Sequence, residues 1–511
     1  MFMYKMTPWT LFEEACERHG ERTLLVYNER SFTYAQIREQ AEAFARIVDA
    51  LDFRMAGAYL PNCSEFITCM LGLSRQRKAF VSLSYQFKGE ALIELLDYTD
   101  VELLITDAKG IGAIEAHIGR LNVRFAFVLG SDGSFDLRAY PGKPARPLPG
   151  IGENTFGICF TSGSTSRPKG IVLSNEAIVG NALAVADHLN FTCEDRTIVP
   201  RSLAQASPLA GDVLMAISRG GGIILLNNVF HPGIFLKAIQ DYKATQFYIV
   251  RTMLLQTLEY PGFANYDLSS LKRVLIGGMV NSLNIYQETA KRLPQAKVYN
   301  AYGTSEAVAR VTFGEHEDVT TKTCVIGKPI AGCSVSVLRE DGTETETGET
   351  GEIYIRSAYA MDGYYKSEEL TAEVLTPWGI RVKDAGFRDG DGLFYVLSRT
   401  DDMIVQGGSR AYPIDIEEVL LKHPAVQETV VLGVEDDKLG QRIVAFVTAR
   451  PGFALEAREL YKWCVSSLED RKVPKEIHVV DAIPRNVIGK INKNDVKELY
   501  RNLLAKEEAA G

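Results

Sequence analysis

Thr161-Ser162-Gly163-Ser164-Thr165-Ser166-Arg167-Pro168-Lys169-Gly170 stands between two apolar runs, residues 156–160 and 171–173. This is the make-up of a phosphate loop between two strands. Backbone amides and hydroxyls can turn toward phosphate oxygens, glycine permits close approach, and Lys169 with Arg167 supplies positive charge. It departs from the P-loop pattern, because Pro168 stands where that motif needs the glycine before its lysine and Gly170 where it needs Ser or Thr. A polar surface hairpin has the same composition, since Ser, Gly and Thr cluster between strands generally. The flanking sequence decides between the two.

On both sides of this stretch, strand and helix patterns alternate. Thr7-Pro8 before Leu11, Phe12 and Ala15 reads as a capped first helix, with the hydroxyl at the N-cap and proline at the first helical position. Residues 22–27 and 30–34 form a strand pair about Asn28-Glu29, and 36–51, 64–73 and 91–98 carry helical spacing between strand-like runs at 55–60, 79–83, 101–106 and 123–129. Residues 131–152, rich in Asp, Gly and Pro, read as a loop. Farther on, helices at 176–189, 211–219, 234–242 and 283–293 alternate with strands at 196–199, 221–226, 246–250, 274–276 and 297–300. Short buried runs separated by helices mark parallel sheets covered on both faces. Past residue 325 the strands look antiparallel (334–338, 351–356, 393–397), and the polar cluster at 398–402 marks a boundary. The predicted fold class is α/β. Residues 1–399 form a large N-terminal domain of doubly wound, parallel-rich sheets, with a β subdomain at 325–398. Residues 400–511 form a small C-terminal α+β domain, disordered at 507–511.

With 511 residues the chain exceeds the usual single-core limit. Its 56 Lys plus Arg against 65 Asp plus Glu give a net charge of −9 with no long run of one sign, which disfavours nucleic acid or an anionic membrane as partner. Eight cysteines are scattered without a CxxC pair, and seven histidines form no HxxxH or HExxH pattern. The expectation is a reducing cytoplasm, no disulfides and no protein-built zinc site. No segment approaches the apolar length of a membrane span.

Asn300-Ala301-Tyr302-Gly303-Thr304-Ser305-Glu306 follows a strand directly and is the second chemical signal. An aromatic ring, a glycine, hydroxyls and a carboxylate leave a strand end together, where open α/β sheets bind ligands. Tyr302 can stack on a base, Thr304 and Ser305 can bind phosphate or carboxylate oxygens, and Glu306 can hold Mg²⁺. An ordinary turn has a similar composition.

Together these pieces resemble the adenylate-forming enzymes, a family that includes acyl- and aryl-CoA synthetases, adenylation domains of peptide synthetases, and luciferases. Residues 161–170 look like its TSGSTGxPKG loop and Tyr302 to Glu306 like its YGxTE motif. Gly351-Glu352-Ile353 and Gly363-Tyr364-Tyr365 resemble its GEL and GY segments, and Asp384 falls where the family has an aspartate for the ribose hydroxyls. Arg399-Thr400-Asp401-Asp402 resembles the RxDD hinge, and 484–490 the PRNxxGK segment ending in a catalytic lysine, here Lys490. The resemblance covers essentially the whole chain, with the motifs in one order.

The resemblance implies two half-reactions. A small-molecule carboxylic acid attacks the α-phosphate of ATP and releases pyrophosphate, and a thiol then attacks the acyl-adenylate to give a thioester and AMP. Thr161, Ser162, Gly163, Ser164, Thr165 and Lys169 would hold phosphates. Gly277, Gly278, Asn300, Ala301, Tyr302, Gly303, Thr304, Asp384 and Arg399 would line the nucleotide. Ser305, Glu306 (with Mg²⁺) and Lys490 would act at the reacting centre. Asp401 would be the hinge of a mobile lid, and Gly407 and Gly408 would border the thiol path. The acceptor would be coenzyme A or the phosphopantetheine arm of an acyl carrier protein, and the protein a monomer or homodimer. Spacing at Gly407-Gly408, Tyr412-Pro413 and Ile416-Glu417 looks more like CoA ligases. A degenerate, non-catalytic nucleotide-binding homologue is the alternative from another class, and retention of Lys169, Glu306, Asp384, Arg399 and Lys490 argues against it.

Several residues depart from the family pattern. Ser166 and Ser398 replace glycines, Ser305 replaces threonine, and Val382-Lys383-Asp384 stands for Thr-Gly-Asp. Leu203 occupies the position of a histidine common in CoA-forming relatives, and Ser82 and Arg251 stand where proline is usual. Arg201 and Arg251 near the acyl pocket can pair with a second polar or anionic group on the substrate, or sit in structural ion pairs.

Overall fold

The computed structural model describes residues 6–141, 148–160, 169–227, 229–278, 281–407, 409–436, 438–485 and 491–510. Local chemistry sets the first elements. Thr7 caps Pro8–His19 in a reciprocal capping box with Thr10, and Thr33 does the same with Gln36 for Tyr34–Asp49. Asn28 and Glu29 both take positive φ, the hairpin-turn conformation that joins Thr23–Tyr27 to Arg30–Thr33.

Two large sheets carry the N-terminal part. The first runs Gly363–Tyr364, Gly170–Ser174, Thr155–Phe160, Ala79–Ser82, Met55–Tyr59, Leu103–Asp107, Phe125–Leu129, Phe135–Ala139, with a parallel centre and antiparallel edges. Phe135–Ala139 corrects the loop expected there. It is a half-exposed edge strand whose Asp and Arg face water, so it lacks the apolar run by which buried strands are found.

The second sheet is parallel from Thr23–Tyr27 through Gly222–Leu225, Arg196–Val199, Gln246–Val250, Arg273–Gly277 and Lys297–Tyr302. It continues antiparallel through Thr312–Gly314 and Val325–Pro329 into Phe394–Arg399, Gly379–Arg388, Gly351–Ser357 and Cys333–Leu338. The strands past residue 325 thus extend this sheet edge to edge. Helices Ser64–Arg75 and Asn175–His188 and the helical stretch from Ala206 to Ser218 are buried on most sides, in one apolar core fed by both sheets through residues such as Phe80, Leu103, Ile223 and Leu275.

The small C-terminal unit centres on the antiparallel pair Val426–Asp436 and Gly440–Ala449, with Ile404–Gln406 and Glu476–Val479 beside the latter. Side chains alternate along Gly440–Ala449. Ile443, Ala445 and Val447 pack with Pro413–Leu421 and Ala457–Ser467, while Val444 and Phe446 pack with Val496 and Tyr500 of Lys493–Ala510. Both faces being apolar, the last helix has a core to cover, and it runs to Ala510 where a tail was expected. Among the described residues no helix is long and apolar enough to cross a membrane.

Candidate active site

The parallel strands Gln246–Val250, Arg273–Gly277 and Lys297–Tyr302 end in register, with Val250 opposite Gly277 and Gly277 opposite Ala301. Gly277 is obligatory: a Cβ there would lie 2.3 Å from the Ala301 carbonyl oxygen and 2.6 Å from the Tyr248 hydroxyl. Gly278 follows with φ of 90°, carrying the chain away from the strand end.

Asp384 and Arg399, 15 positions apart, are cross-strand partners on the consecutive antiparallel strands Gly379–Arg388 and Phe394–Arg399. The Arg399 guanidinium donates to Asp384 Oδ1 at 3.2 Å and to the Val382 carbonyl at 2.6 Å, and the Tyr302 hydroxyl donates to Asp384 Oδ2 at 2.6 Å. Burial lifts the Asp384 carboxyl above its usual range, with Arg399 and Tyr302 pulling it back. Burial and the neighbouring Asp384 charge keep Tyr302 protonated, so it remains a donor. Lys383 takes the left-handed conformation, φ 57°, at the position where the family pattern has glycine. That strain, on the order of 1–2 kcal/mol for a non-glycine residue, is held by a 2.7 Å ion pair to Glu373 and by Thr400 Oγ1 donating to the Lys383 carbonyl.

Glu306 lies in the short 3₁₀ turn Ser305–Ala307 beyond the strand end. Its Oε2 accepts from the Thr304 hydroxyl and its Oε1 from the Tyr364 hydroxyl at 2.5 Å. Tyr364 belongs to the other sheet: Gly363–Tyr364 pairs with Gly170–Ser174, and Lys169 Nζ lies 5.8 Å from the Tyr364 ring centroid. The Met361 N–H also donates to the Glu306 carbonyl at 2.8 Å. Residues 361–365 therefore tie the end of the serine-rich loop to the strand-end carboxylate, across both sheets. Burial and Glu306 together hold the Tyr364 phenol well above its ordinary value, so it stays a donor.

Of the other sequence-predicted residues, Asn300 is buried and donates to the Val325 carbonyl at 2.7 Å, and Ala301 is buried. Gly303 sits where a Cβ would meet the Ala309 carbonyl oxygen at 1.9 Å. Ser305 opens the 3₁₀ turn. Asp401 is exposed in Thr400–Asp402, beside Asp402, which pairs with Lys493 at 2.9 Å. Gly407 takes φ of 56° and donates to the Leu439 carbonyl. Thr161, Ser162, Gly163, Ser164, Thr165, Ser166, Gly408 and Lys490 lie outside the described residues.

The departures are stitched into the fold. Leu203 is fully buried, and its N–H donates to Asn62, whose amide reaches the Arg201 and Leu226 carbonyls. Ser82 donates from the first sheet to the Ala204 carbonyl at 3.0 Å. Arg201 pairs with Asp212 at 2.7 Å and lies 4.0 Å over the Tyr248 ring, which Arg310 also covers. Arg251 is buried as well. It opens Arg251–Leu258, and while burial lowers its basicity, the carboxylates Glu417, Glu428 and Glu418 of the small unit support its charge. Glu418 also accepts from the Leu283 N–H at 2.9 Å, so a small-unit carboxylate caps the large-domain helix Leu283–Arg292. Sequence reasoning passed over Tyr364 as a link to Glu306, and over Asp212 and Arg310. The available signal for Arg310 was a lone cation inside the apolar run 307–313.

Parallel strand ends, a carboxylate held by two hydroxyls and a lysine close by are found together where open α/β sheets in general bind ligands, outside the carboxyl ends of the strands. The chain belongs to the AMP-binding enzyme family: that family matches residues 12–365, and its C-terminal domain family matches residues 415–490. It is 28% identical over 488 residues to indoleacetate–CoA ligase of Aromatoleum aromaticum, covering 94% of this chain and 95% of that one. It is 29% identical over 490 residues to feruloyl-CoA synthase of an Amycolatopsis species, with 94% and 95% covered. Among solved structures, the amide bond synthetase McbA from Marinactinospora thermotolerans superposes with a TM-score of 0.85 at 25% identity, covering 96% of this chain and 99% of that one.

Proposed function

We propose that this protein is an ATP-dependent acyl- or aryl-CoA ligase that activates a carboxylic acid as its adenylate and then forms the thioester with coenzyme A. The observation that carries the reading is the pair of polar chains converging on one strand end: Lys169, Tyr364, Glu306 on one side and Tyr302, Asp384, Arg399 on the other. In this reading, residues 161–165 and Lys169 hold the β- and γ-phosphates, and Asp384 accepts from the ribose hydroxyls. Tyr302, Gly303, Thr304, Asn300, Ala301, Gly277 and Gly278 shape the nucleotide pocket, and Ser305 flanks the reacting groups.

Glu306 suits Mg²⁺. Its oxygens are hard donors, each is oriented by one hydroxyl and keeps further lone pairs, and among the described residues no group of three His, Cys, Asp or Glu competes for the ion. Mg²⁺ bound there supplies positive charge to the triphosphate. Lys490 screens the attacking carboxylate from the α-phosphate, lowering the repulsion between two anions. Residues 400–511 then turn about Asp401 as a lid, taking Lys490 away and bringing Gly407 and Gly408 beside the incoming thiol. The contacts that Glu418 and Gln427 make across that boundary, to the Leu283 N–H and to Glu259, are polar, which suits an interface that re-forms each cycle.

The test is pyrophosphate release over a panel of carboxylic acids, without thiol and then with coenzyme A or a phosphopantetheinylated carrier protein. The expected result is acid-dependent pyrophosphate without thiol, and AMP with acyl-CoA once coenzyme A is added. Thioester formed only on the carrier would move the acceptor, and no acid-dependent pyrophosphate would sink the reading. Tyr364→Phe removes one of the two donors to Glu306. A hydrogen bond to a charged group is worth about 1.5–3 kcal/mol, so kcat/KM for pyrophosphate release is expected to fall about 10- to 100-fold. A value within twofold of wild type would detach Tyr364 from catalysis.

A further inference from the structure

Below the strand ends lies a buried charge cluster that the nucleotide chemistry does not use. Arg201 follows Arg196–Val199, Asp212 sits in the π-helical turn Leu209–Leu214, Tyr248 is on Gln246–Val250, and Arg310 follows the Tyr302–Glu306 motif. Arg201 Nη2 meets Asp212 Oδ2 at 2.7 Å, and Arg310 Nη2 meets Oδ1 at 3.4 Å. The Nη1 atoms of both donate to Ser207 Oγ, at 3.3 and 3.2 Å, and Arg310 Nη1 also reaches the Ser207 carbonyl. The guanidinium carbons stand 4.0 and 4.4 Å from the Tyr248 ring centroid. Arg201 is 8% and Arg310 1% exposed.

The charge does not balance. Guanidinium is ionised throughout the accessible pH range, so among the described residues two cations pair with one carboxylate, Asp212, and the cluster carries a net positive charge. Nε of Arg201 and Nε of Arg310 are both buried without a hydrogen-bond partner among the described residues. Burying an excess charge with unmet donors is unfavourable, and the fold makes specific room for it. A Cβ at Gly211 would lie 1.9 Å from Arg310 Nη1, so glycine is needed for the guanidinium to cross the helix. The π turn that carries Asp212 is itself a rare element that recurs at functional sites.

Position says what would complete the cluster. The Tyr248 hydroxyl ends 2.6 Å from the Cβ position of Gly277, at the strand tip, and the Arg310 Cα lies 3.0 Å from the Cβ position of Gly303 in the Tyr302–Glu306 motif. The excess positive charge therefore adjoins the strand end and the Tyr302–Glu306 motif, where the reading above places activation of the acid. We infer that the substrate is a dicarboxylic acid: one carboxylate is adenylated, while the second is received by Arg201 and Arg310, giving a thioester that keeps one free carboxylate. This rests on the ligase reading above.

The test compares α,ω-dicarboxylates of three to eight carbons and the benzene dicarboxylates, each against its monomethyl ester, by pyrophosphate release from the full-length protein. At least one diacid is expected to exceed its half-ester in kcat/KM by ~10²-fold or more, since a site built for a hydrogen-bonding group rejects the analogue lacking it. Arg201→Met is expected to collapse that ratio toward one, a change that simple loss of packing, which slows both substrates alike, does not produce. The same diacid should raise the melting temperature of the wild type above the rise given by its half-ester, and Arg201→Met should abolish the difference. Half-esters or plain monocarboxylates outperforming every diacid would overturn the inference while leaving the ligase reading intact. Pyrophosphate from no acid at all, with a diacid-specific thermal shift retained, would remove the ligase reading and keep the anion site. If Arg201→Met fails to fold, the wild-type ratios and shifts decide alone.

Discussion

Lys490→Ala is expected to slow acyl-adenylate formation by about 10²- to 10³-fold, the range for loss of one preorganised group at developing charge. The reaction brings a carboxylate onto a phosphate that already carries negative charge, and the described strand-end residues offer carboxylates and hydroxyls there, Glu306, Asp384 and Thr304 among them. Lys169 faces the Tyr364 side of the site and Arg399 is engaged by Asp384 and the Val382 carbonyl, so the proposed reading takes the positive charge for the attacking group from elsewhere in the chain. In the reading proposed above Lys490 of the small unit supplies it; the described residues on either side of its segment are Arg485, ion-paired to Glu428 and bridged to Ile491, and Ile491 itself. Two measurements separate this role from a structural one. Pyrophosphate release should carry the loss, whereas thioester formation from a chemically prepared acyl-adenylate should be affected far less if, as proposed, Lys490 leaves before the thiol arrives. Equal losses in both half-reactions would refute the assignment, as would wild-type pyrophosphate release.

Much of the architecture was legible because the parallel strands are short apolar runs and the first helices carry cap residues in the expected places. What escaped has a physical cause in each case. Phe135–Ala139 is an edge strand without a buried face pattern. The antiparallel strand Gly379–Arg388 holds Lys383 in a left-handed kink, which breaks its alternation. At the site, sequence named Tyr302, Glu306, Asp384 and Arg399 separately, and only the register of Gly379–Arg388 on Phe394–Arg399 shows why the last two belong together. Tyr364 reads as part of a Gly-Tyr-Tyr turn until its strand is seen pairing with Gly170–Ser174. Arg251 and Arg201 read alike in sequence, each an arginine near a strand end. Arg251 is buried with its charge supported by Glu417, Glu428 and Glu418, far along the chain, whereas Arg201 is buried against Asp212, 11 positions on, and Tyr248.

Glu306→Gln is expected to lower kcat/KM for adenylation by about 10³-fold and to shift the half-saturating Mg²⁺ concentration upward. The carboxylate is flanked by two hydroxyl donors, Thr304 on one oxygen and Tyr364 on the other. An amide of the same shape presents one acceptor and one donor, so one hydroxyl faces an N–H, and an unmet buried donor costs about 1–3 kcal/mol. That part is a geometric penalty, and it would appear equally in thermal stability. The larger part is chemical: the side chain loses the negative charge that makes it a ligand for a hard divalent ion, and Mg²⁺ accepts neutral amide oxygen poorly where phosphate and carboxylate are available. Glu306→Asp separates the two, because it keeps the charge and shortens the reach. It should recover part of the Mg²⁺ affinity while losing the Tyr364 contact. Titrating Mg²⁺ at fixed ATP reads the difference. If Glu306→Gln lowers the rate while its Mg²⁺ dependence superposes on that of wild type, Glu306 holds Tyr364 and the loop behind it in place, and the ion is bound by the phosphates alone.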